Sequence, residues 1–325
     1  MKVFVTRIIP QEGLDLLKAA NIEVTQWPEK RNITLEELIT VCQDYDGVII
    51  AGFNNVNAQF LNACKHLKVV SLHSVGFDNT DVATATQLKI PVGNTPGVLS
   101  DATADTAFLL MLATSRKAFY NHKKIAAGQW GVFEPTADLG MELNGRTLGI
   151  FGLGKIGYEM ARRCKAAYSM PIIYHNRSRN EEAEKDLGAV KVSFDELLQQ
   201  SDILSVHCAL TPETKGLFKQ SVFAKMKPSS IFINTSRGPV HNEPDLTEAV
   251  KNGVIWGAGL DVTNPEPMLP DNPLLDMPNV CVLPHIGSAT FETRNAMSRL
   301  AALNVIAAFK GERLPYPVNP EIYED

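Results

Sequence analysis

Short apolar runs alternate with helix-spaced segments along most of the chain. Between Met1 and Leu99, Val3-Phe4-Val5 precedes a helical pattern from Gly13 to Ala20, and Ile22-Glu23-Val24 precedes one from Leu35 to Cys42. Gly47-Val48-Ile49-Ile50-Ala51 precedes Gln59 to Lys65, and Lys68-Val69-Val70-Ser71-Leu72 and Ile90-Pro91-Val92 complete the series. Strand alternating with helix predicts a parallel sheet covered on both faces.

From Ser100 the pattern is helical to about Arg116. The run Phe108-Leu109-Leu110-Met111-Leu112 is too continuous for a surface helix and predicts burial between domains or subunits. Gln129 to Gly140, with Trp130, Phe133 and Pro135, reads as a loop with aromatic anchors. A second alternating series starts at Thr147. Its strands are predicted at Leu148–Phe151, Ile172–His175, Ile203–His207, Ile231–Asn234, Gly257–Val262 and Val280–Leu283, with Pro212, Pro228, Pro244 and Pro265 in the connections. A last helix, about Thr290 to Phe309, can pass back to the first domain and make it discontinuous. The expected division is therefore 1–99 with 289–325, against 100–288.

The first series lacks a glycine-rich loop; the second opens on one. Leu148-Gly149-Ile150-Phe151 leads into Gly152-Leu153-Gly154-Lys155-Ile156-Gly157, a helical segment follows to Tyr168, and Ile172-Ile173-Tyr174-His175 comes next. This strand–turn–helix–strand frame makes G-x-G-x-x-G a dinucleotide fingerprint. Gly152 permits the tight turn, Gly154 the approach of the pyrophosphate, and Gly157 close helix–strand packing, while the helix N-terminus presents N–H groups to phosphate. Leu153, Lys155 and Ile156 complete the cradle.

A site selecting NAD usually ends its second strand in Asp or Glu, which accepts from the ribose 2′-OH. Here Asn176-Arg177-Ser178-Arg179 stands at that place. A carboxylate would repel a 2′-phosphate, whereas guanidinium groups pair with it. NADP is predicted over NAD.

With 325 residues the chain can hold two cores, and 45% hydrophobic with 21% charged residues is ordinary for a soluble globular protein. A net charge of −5 offers no global attraction to nucleic acid or an anionic membrane. Met1 to Arg7 reads as a strand, not a signal peptide, and no run has the length of a membrane span. Five scattered cysteines without a CxxC fit a reducing cytoplasm and indicate neither a disulfide framework nor a metal site.

Ligands in open α/β sheets bind past the carboxyl ends of strands. Three such ends carry chemistry: Asn234-Thr235-Ser236-Arg237-Gly238, Asp261-Val262-Thr263-Asn264-Pro265-Glu266-Pro267, and Pro284-His285-Ile286-Gly287-Ser288. Reduction of a carbonyl needs an acid at its oxygen, which suits His285. Glu266 can hold the ring, and Arg237 offers a fork for a 2-oxo acid's carboxylate or carbonyl. Each has a plainer reading, as a structural histidine, an exposed turn glutamate or a salt-bridging arginine. His175 and His207, at other strand ends, compete with His285.

Over essentially its whole length the chain resembles the D-isomer-specific 2-hydroxyacid dehydrogenases, and within them the glyoxylate/hydroxypyruvate reductase branch. Ser74-Val75-Gly76-Phe77-Asp78-Asn79, Asn94-Thr95-Pro96-Gly97-Val98-Leu99, Asp101-Ala102-Thr103-Ala104-Asp105, the fingerprint and the three strand-end motifs carry the likeness. The resemblance implies an α/β fold of two doubly wound parallel-sheet domains, a Rossmann cofactor domain inserted in a discontinuous flavodoxin-like substrate domain. It implies Arg237, Glu266 and His285 as the catalytic set and the amides around Val75 and Gly76 as the substrate carboxylate site. Thr103 then meets the cofactor phosphates, Thr235 (with Ser236) and Asp261 lie along the nicotinamide half, and Gly287 faces its ring. The region from about Ala102 to Gly140 packs a homodimer, with Trp130 at the edge of an active site. Cys208-Ala209 departs from the family near a position where proline is common, and His241 in the polar run after Gly238 has no account from sequence.

The expectation is an NADPH-dependent reductase of small 2-oxo acids, glyoxylate or hydroxypyruvate first. The alternatives are 2-ketogluconate reduction and, in another class, a dinucleotide-sensing binding protein like the corepressors that share the fold.

Overall fold

The structure, a computed structural model, describes residues 1–324. It divides into two compact units: residues 1–99 with the chain from Ser288 onward, and Ser100–Gly287. The second division falls one residue earlier than the sequence boundary.

The first unit opens with β1 (Lys2–Val5), α1 (Gln11–Ala19), β2 (Glu23–Gln26), α2 (Leu35–Cys42), β3 (Gly47–Ile50), α3 (Ala58–Ala63), β4 (Val69–Leu72), α4 (Val82–Gln87) and β5 (Val92–Gly93). Its five strands are all parallel, in the order β2-β1-β3-β4-β5. Side chains alternate across the pleat. Phe4, Val48, Ile50, Val70 and Leu72 enter one core with Leu38 and Phe60, whereas Val3, Val5, Ile49 and Val69 enter another with Leu17. Every residue of β3 and β4 is buried, as expected for central strands covered on both faces.

The second unit contains α5 (Ser100–Ser115), α6 (Ala118–Ala126), β6 (Leu148–Phe151), α7 (Lys155–Tyr168), β7 (Ile172–His175), α8 (Glu181–Leu187), β8 (Val190–Lys191), α9 (Phe194–Gln200), β9 (Ile203–Val206), α10 (Gln220–Phe223), β10 (Ile231–Asn234), α11 (Glu243–Lys251), β11 (Gly257–Leu260) and β12 (Val280–Val282). Its seven parallel strands run β12-β11-β10-β9-β6-β7-β8. The order reverses between β6 and β9, the switch point at which such sheets bind dinucleotides. The last helix, α12 (Phe291–Phe309), belongs to the first unit, where Ala301, Ala302 and Val305 pack on the same core as Val3 and Val69.

Two apolar stretches singled out in the sequence differ in how this chain packs them. The apolar run in α5 is core in part: Leu110 and Met111 are fully buried inside the second unit, where the helix packs on α7, β10 and β11, while Leu109 is 47% exposed. In the 129–140 loop the aromatic residues do not anchor anything within the chain, since Trp130 is 80% and Phe133 87% exposed. Among the described residues no helix is long and apolar enough to cross a membrane.

Candidate active site

The fingerprint builds a turn that fits a dinucleotide. Gly152 takes φ 93°, and a Cβ there would stand 2.8 Å from Cys208 N. Gly157 lets α7 settle on the strand, because its Cβ would approach Gly152 O to 2.9 Å. Gly154 differs: a Cβ there meets nothing within 4 Å, so its outer side faces open space. It is also the N-cap of α7 and supplies no side-chain cap, leaving first-turn N–H groups for an anion. Lys155 is exposed beside it and Ile156 half-buried. These residues fit the nicotinamide dinucleotide expected from sequence.

At the end of β7, Asn176 acts first on the protein. Its Oδ1 accepts from Leu153 N–H at 2.6 Å and its Nδ2 donates to Leu153 O at 3.1 Å, so both ends of the amide brace the glycine turn. Arg177 and Ser178 are exposed. Arg179 is exposed as well but pairs with Glu184, whose carboxyl also accepts from Tyr174 Oη at 2.6 Å. The arginine and the tyrosine hold that carboxyl below its ordinary range.

The other three motifs lie on neighbouring strands. Backbone bonds from Asp261 N to Asn234 O and from Leu283 N to Leu260 O continue the ladder past β10, β11 and β12, bringing the three loops side by side. Glu266 and His285 meet: the ring Nδ1 lies 2.5 Å from Glu266 Oε1. Arg237 sits on the adjacent turn, half-buried, with one guanidinium nitrogen donating to Ser236 O at 2.8 Å. That turn and the glutamate loop touch directly, since a Cβ on Gly238 would fall 1.8 Å from Thr263 O.

Asp261 holds the histidine turn. Its Oδ1 accepts from Ile286 N–H at 2.8 Å and its Oδ2 from Gly287 N–H at 2.7 Å. Burial raises its pKa above the usual carboxylate value, against those two bonds. Gly287 fits between Asp261 and Thr103, where a Cβ would lie 3.0 Å from Asp261 Oδ2 and 3.3 Å from Thr103 Cγ2. Thr103, Asp261 and Gly287 are therefore neighbours.

The competing histidines have structural partners. His207 is half-buried between Ser205 Oγ (2.8 Å) and Thr235 Oγ1 (3.3 Å), and desolvation lowers its pKa to about 4. His175 binds Val192 O through Nδ1 and stacks on Phe151. His241 is fully buried, 3.0 Å from Asn234 Nδ2, with its pKa lowered to about 4 by desolvation.

Two residues shape the site in roles that the sequence does not reveal. Asn234 accepts from Ser236 N and Oγ (2.9 and 2.7 Å) and donates to Arg237 O at 3.0 Å, which folds the arginine turn. Glu243, in a run that looks like an exposed helix start, is buried under the glutamate loop. A period cannot show such long-range bonds.

In the first unit, Val75 O accepts from Asn94 Nδ2 (2.8 Å) and Gly76 O from Ser74 Oγ (2.7 Å). Their own N–H groups make no hydrogen bond among the described residues.

Comparison with known proteins agrees with this construction. Residues 108–287 match the family model described as D-isomer specific 2-hydroxyacid dehydrogenase, NAD binding domain. The chain is 41% identical over 325 residues to a glyoxylate reductase of Pyrococcus furiosus, covering 99% of this chain and 96% of that one. It is 43% identical over 317 residues to the human glyoxylate reductase/hydroxypyruvate reductase, 97% of each chain. A solved NADPH-dependent glyoxylate/hydroxypyruvate reductase of Sinorhizobium meliloti, in complex with NADP and malonate, superposes with a TM-score of 0.85 at 33% identity, over 98% of this chain and 97% of that one. With seven parallel strands ending in these loops and relatives matched end to end, the chain belongs to the D-isomer-specific 2-hydroxyacid dehydrogenase family, on the branch that holds the glyoxylate reductases.

Proposed function

We propose that this protein reduces glyoxylate or hydroxypyruvate to the corresponding D-2-hydroxy acid, using NADPH in preference to NADH. The observation that carries the reading is the contact of His285 Nδ1 with Glu266 Oε1 at 2.5 Å, on loops beside the Arg237 turn. With its phosphates at the glycine turn, a bound NADPH would supply the hydride for the carbonyl carbon. His285 gives the proton to the carbonyl oxygen through Nε2, since Nδ1 faces Glu266. Arg237 binds the substrate carboxylate and polarises the carbonyl, with the N–H groups of Val75 and Gly76 as a further carboxylate anchor. Thr103, Thr235, Ser236, Asp261 and Gly287 line the cofactor position, with Gly152 to Ile156 under its phosphates.

The preference for NADPH rests on the end of β7, where no carboxylate stands and Arg177 and Ser178 are exposed. Arg179 adds a second cation, drawn off in part by Glu184. Initial rates of NADPH and NADH oxidation with glyoxylate, hydroxypyruvate, 2-ketogluconate and pyruvate test the reading. The expected order puts the first two substrates and NADPH ahead. NADPH binding without turnover of any 2-oxo acid contradicts it and points to a binding protein; preference for 2-ketogluconate moves the substrate assignment alone. The exposed apolar side chains of Ile125, Trp130, Val132, Phe133 and Leu139 support a homodimer, which the mass in solution by light scattering checks.

A further inference from the structure

The loop that carries Glu266 is gripped by one side chain outside the reacting set. Glu243, the first residue of α11, is 4% exposed. Its Oε2 accepts from Asn264 N–H at 2.7 Å and its Oε1 from Asn272 Nδ2 at 2.6 Å. Asn264 and Asn272 flank Glu266 on either side, so one carboxyl closes the loop at both ends.

The same carboxyl faces the arginine turn through His241. Asn234 Nδ2 donates to Arg237 O and to His241 Nδ1, each at 3.0 Å, which uses both amide hydrogens. His241 Nδ1 is therefore the acceptor, and the neutral ring carries its hydrogen on Nε2, 4.0 Å from Glu243 Oε2. Hydrogen bonds thus link Arg237 O through Asn234 to His241, whose Nε2 makes no hydrogen bond and lies beside the Glu243 carboxyl. A glutamate in the first turn already serves a helix from the surface through the dipole. Burying the carboxyl adds a desolvation cost that only the two bonds to the loop offset.

We propose that Glu243 is a positioning residue for reduction: by clamping Asn264 and Asn272 it holds Glu266 against His285. The proposal rests on the catalytic reading of Glu266 and His285. Displacing a reacting group by about 1 Å can cost on the order of 10²-fold in rate.

The test compares Glu243→Ala, Glu243→Gln and Leu246→Ala in the full chain. Leu246 is buried on the same helix and makes none of the side-chain hydrogen bonds described above, so it serves as the control for destabilisation. At a temperature where each variant is folded, Glu243→Ala is expected to lower kcat about 10- to 100-fold with the KM for NADPH within about twofold. Glu243→Gln keeps one acceptor for Asn264 N–H and is expected to fall between wild type and the alanine variant. It carries the test if the alanine variant does not fold. Leu246→Ala is expected to keep kcat.

A second readout needs no turnover. The proton shared by His285 Nδ1 and Glu266 Oε1 is expected as a downfield ¹H NMR resonance, identified by its loss in Glu266→Gln. It is expected to broaden or vanish in Glu243→Ala and to persist in Leu246→Ala. Wild-type kcat and an unchanged resonance in both Glu243 variants overturn the proposal, as does an equal loss of kcat in Leu246→Ala. Full turnover by Glu266→Gln removes the catalytic reading alone, and the resonance then still decides the clamp.

Discussion

His285 holds a backbone conformation that residues with a Cβ rarely take, φ 54°. Such a position costs about 1–3 kcal/mol and persists only where its surroundings over-determine it. Asp261 does so by accepting the next two N–H groups, of Ile286 and Gly287. Asp261→Asn keeps one acceptor and turns a donor toward the other N–H. It is expected to lose about 1–3 kcal/mol of unfolding free energy in denaturant titration and to lower kcat with it; unchanged stability contradicts the clamp. Arg237, Glu266 and His285 stand out in the sequence as titratable residues just past apolar runs, and the structure sets their three loops side by side with His285 against Glu266. Asp261 was legible in place but not in role. His241 and Glu243 were not, since His241-Asn242-Glu243 reads as an exposed turn and only the tertiary fold buries two of its three side chains.

At the scale of elements, the proposed preference for NADPH turns on the end of β7. Arg177→Ala is expected to reduce the ratio of kcat/KM with NADPH to that with NADH about tenfold, on the order of 1.4 kcal/mol, with little change for NADH itself. An unchanged ratio places the discrimination elsewhere. The long buried strands were readable because both faces are covered and the runs are continuously apolar. Several shorter elements were not, among them β8, α4 and α6. β8 is a two-residue edge strand, Val190–Lys191, exposed throughout. α4 is six residues long, capped by Asp81 on Thr84 N–H, too short to show a period. α6 follows α5 after a left-handed Lys117 and has no buried residue, so no apolar stripe marks it.

Across the whole molecule, desolvated neutral histidines link stability to pH. His207 and His241 have folded pKa values of about 4, against 6.5 for an unperturbed ring. The unfolded chain therefore takes up protons that the folded one refuses as pH falls from about 6.5 toward 4. The stability these rings contribute is complete above that window and is lost through it, on the order of 3 kcal/mol each. His241→Gln, uncharged at every pH, is expected to show a shallower fall of unfolding free energy between pH 6.5 and 5 than wild type; equal slopes contradict the assignment. The central claim is that an imidazole held by Glu266 gives the proton in reduction of a 2-oxo acid. It is tested most directly by the kcat of His285→Ala with glyoxylate and NADPH, measured beside the Kd for NADPH. Turnover is expected to fall about 10²- to 10⁴-fold while the Kd stays within about twofold. Turnover close to wild type, with the cofactor bound as before, would contradict it.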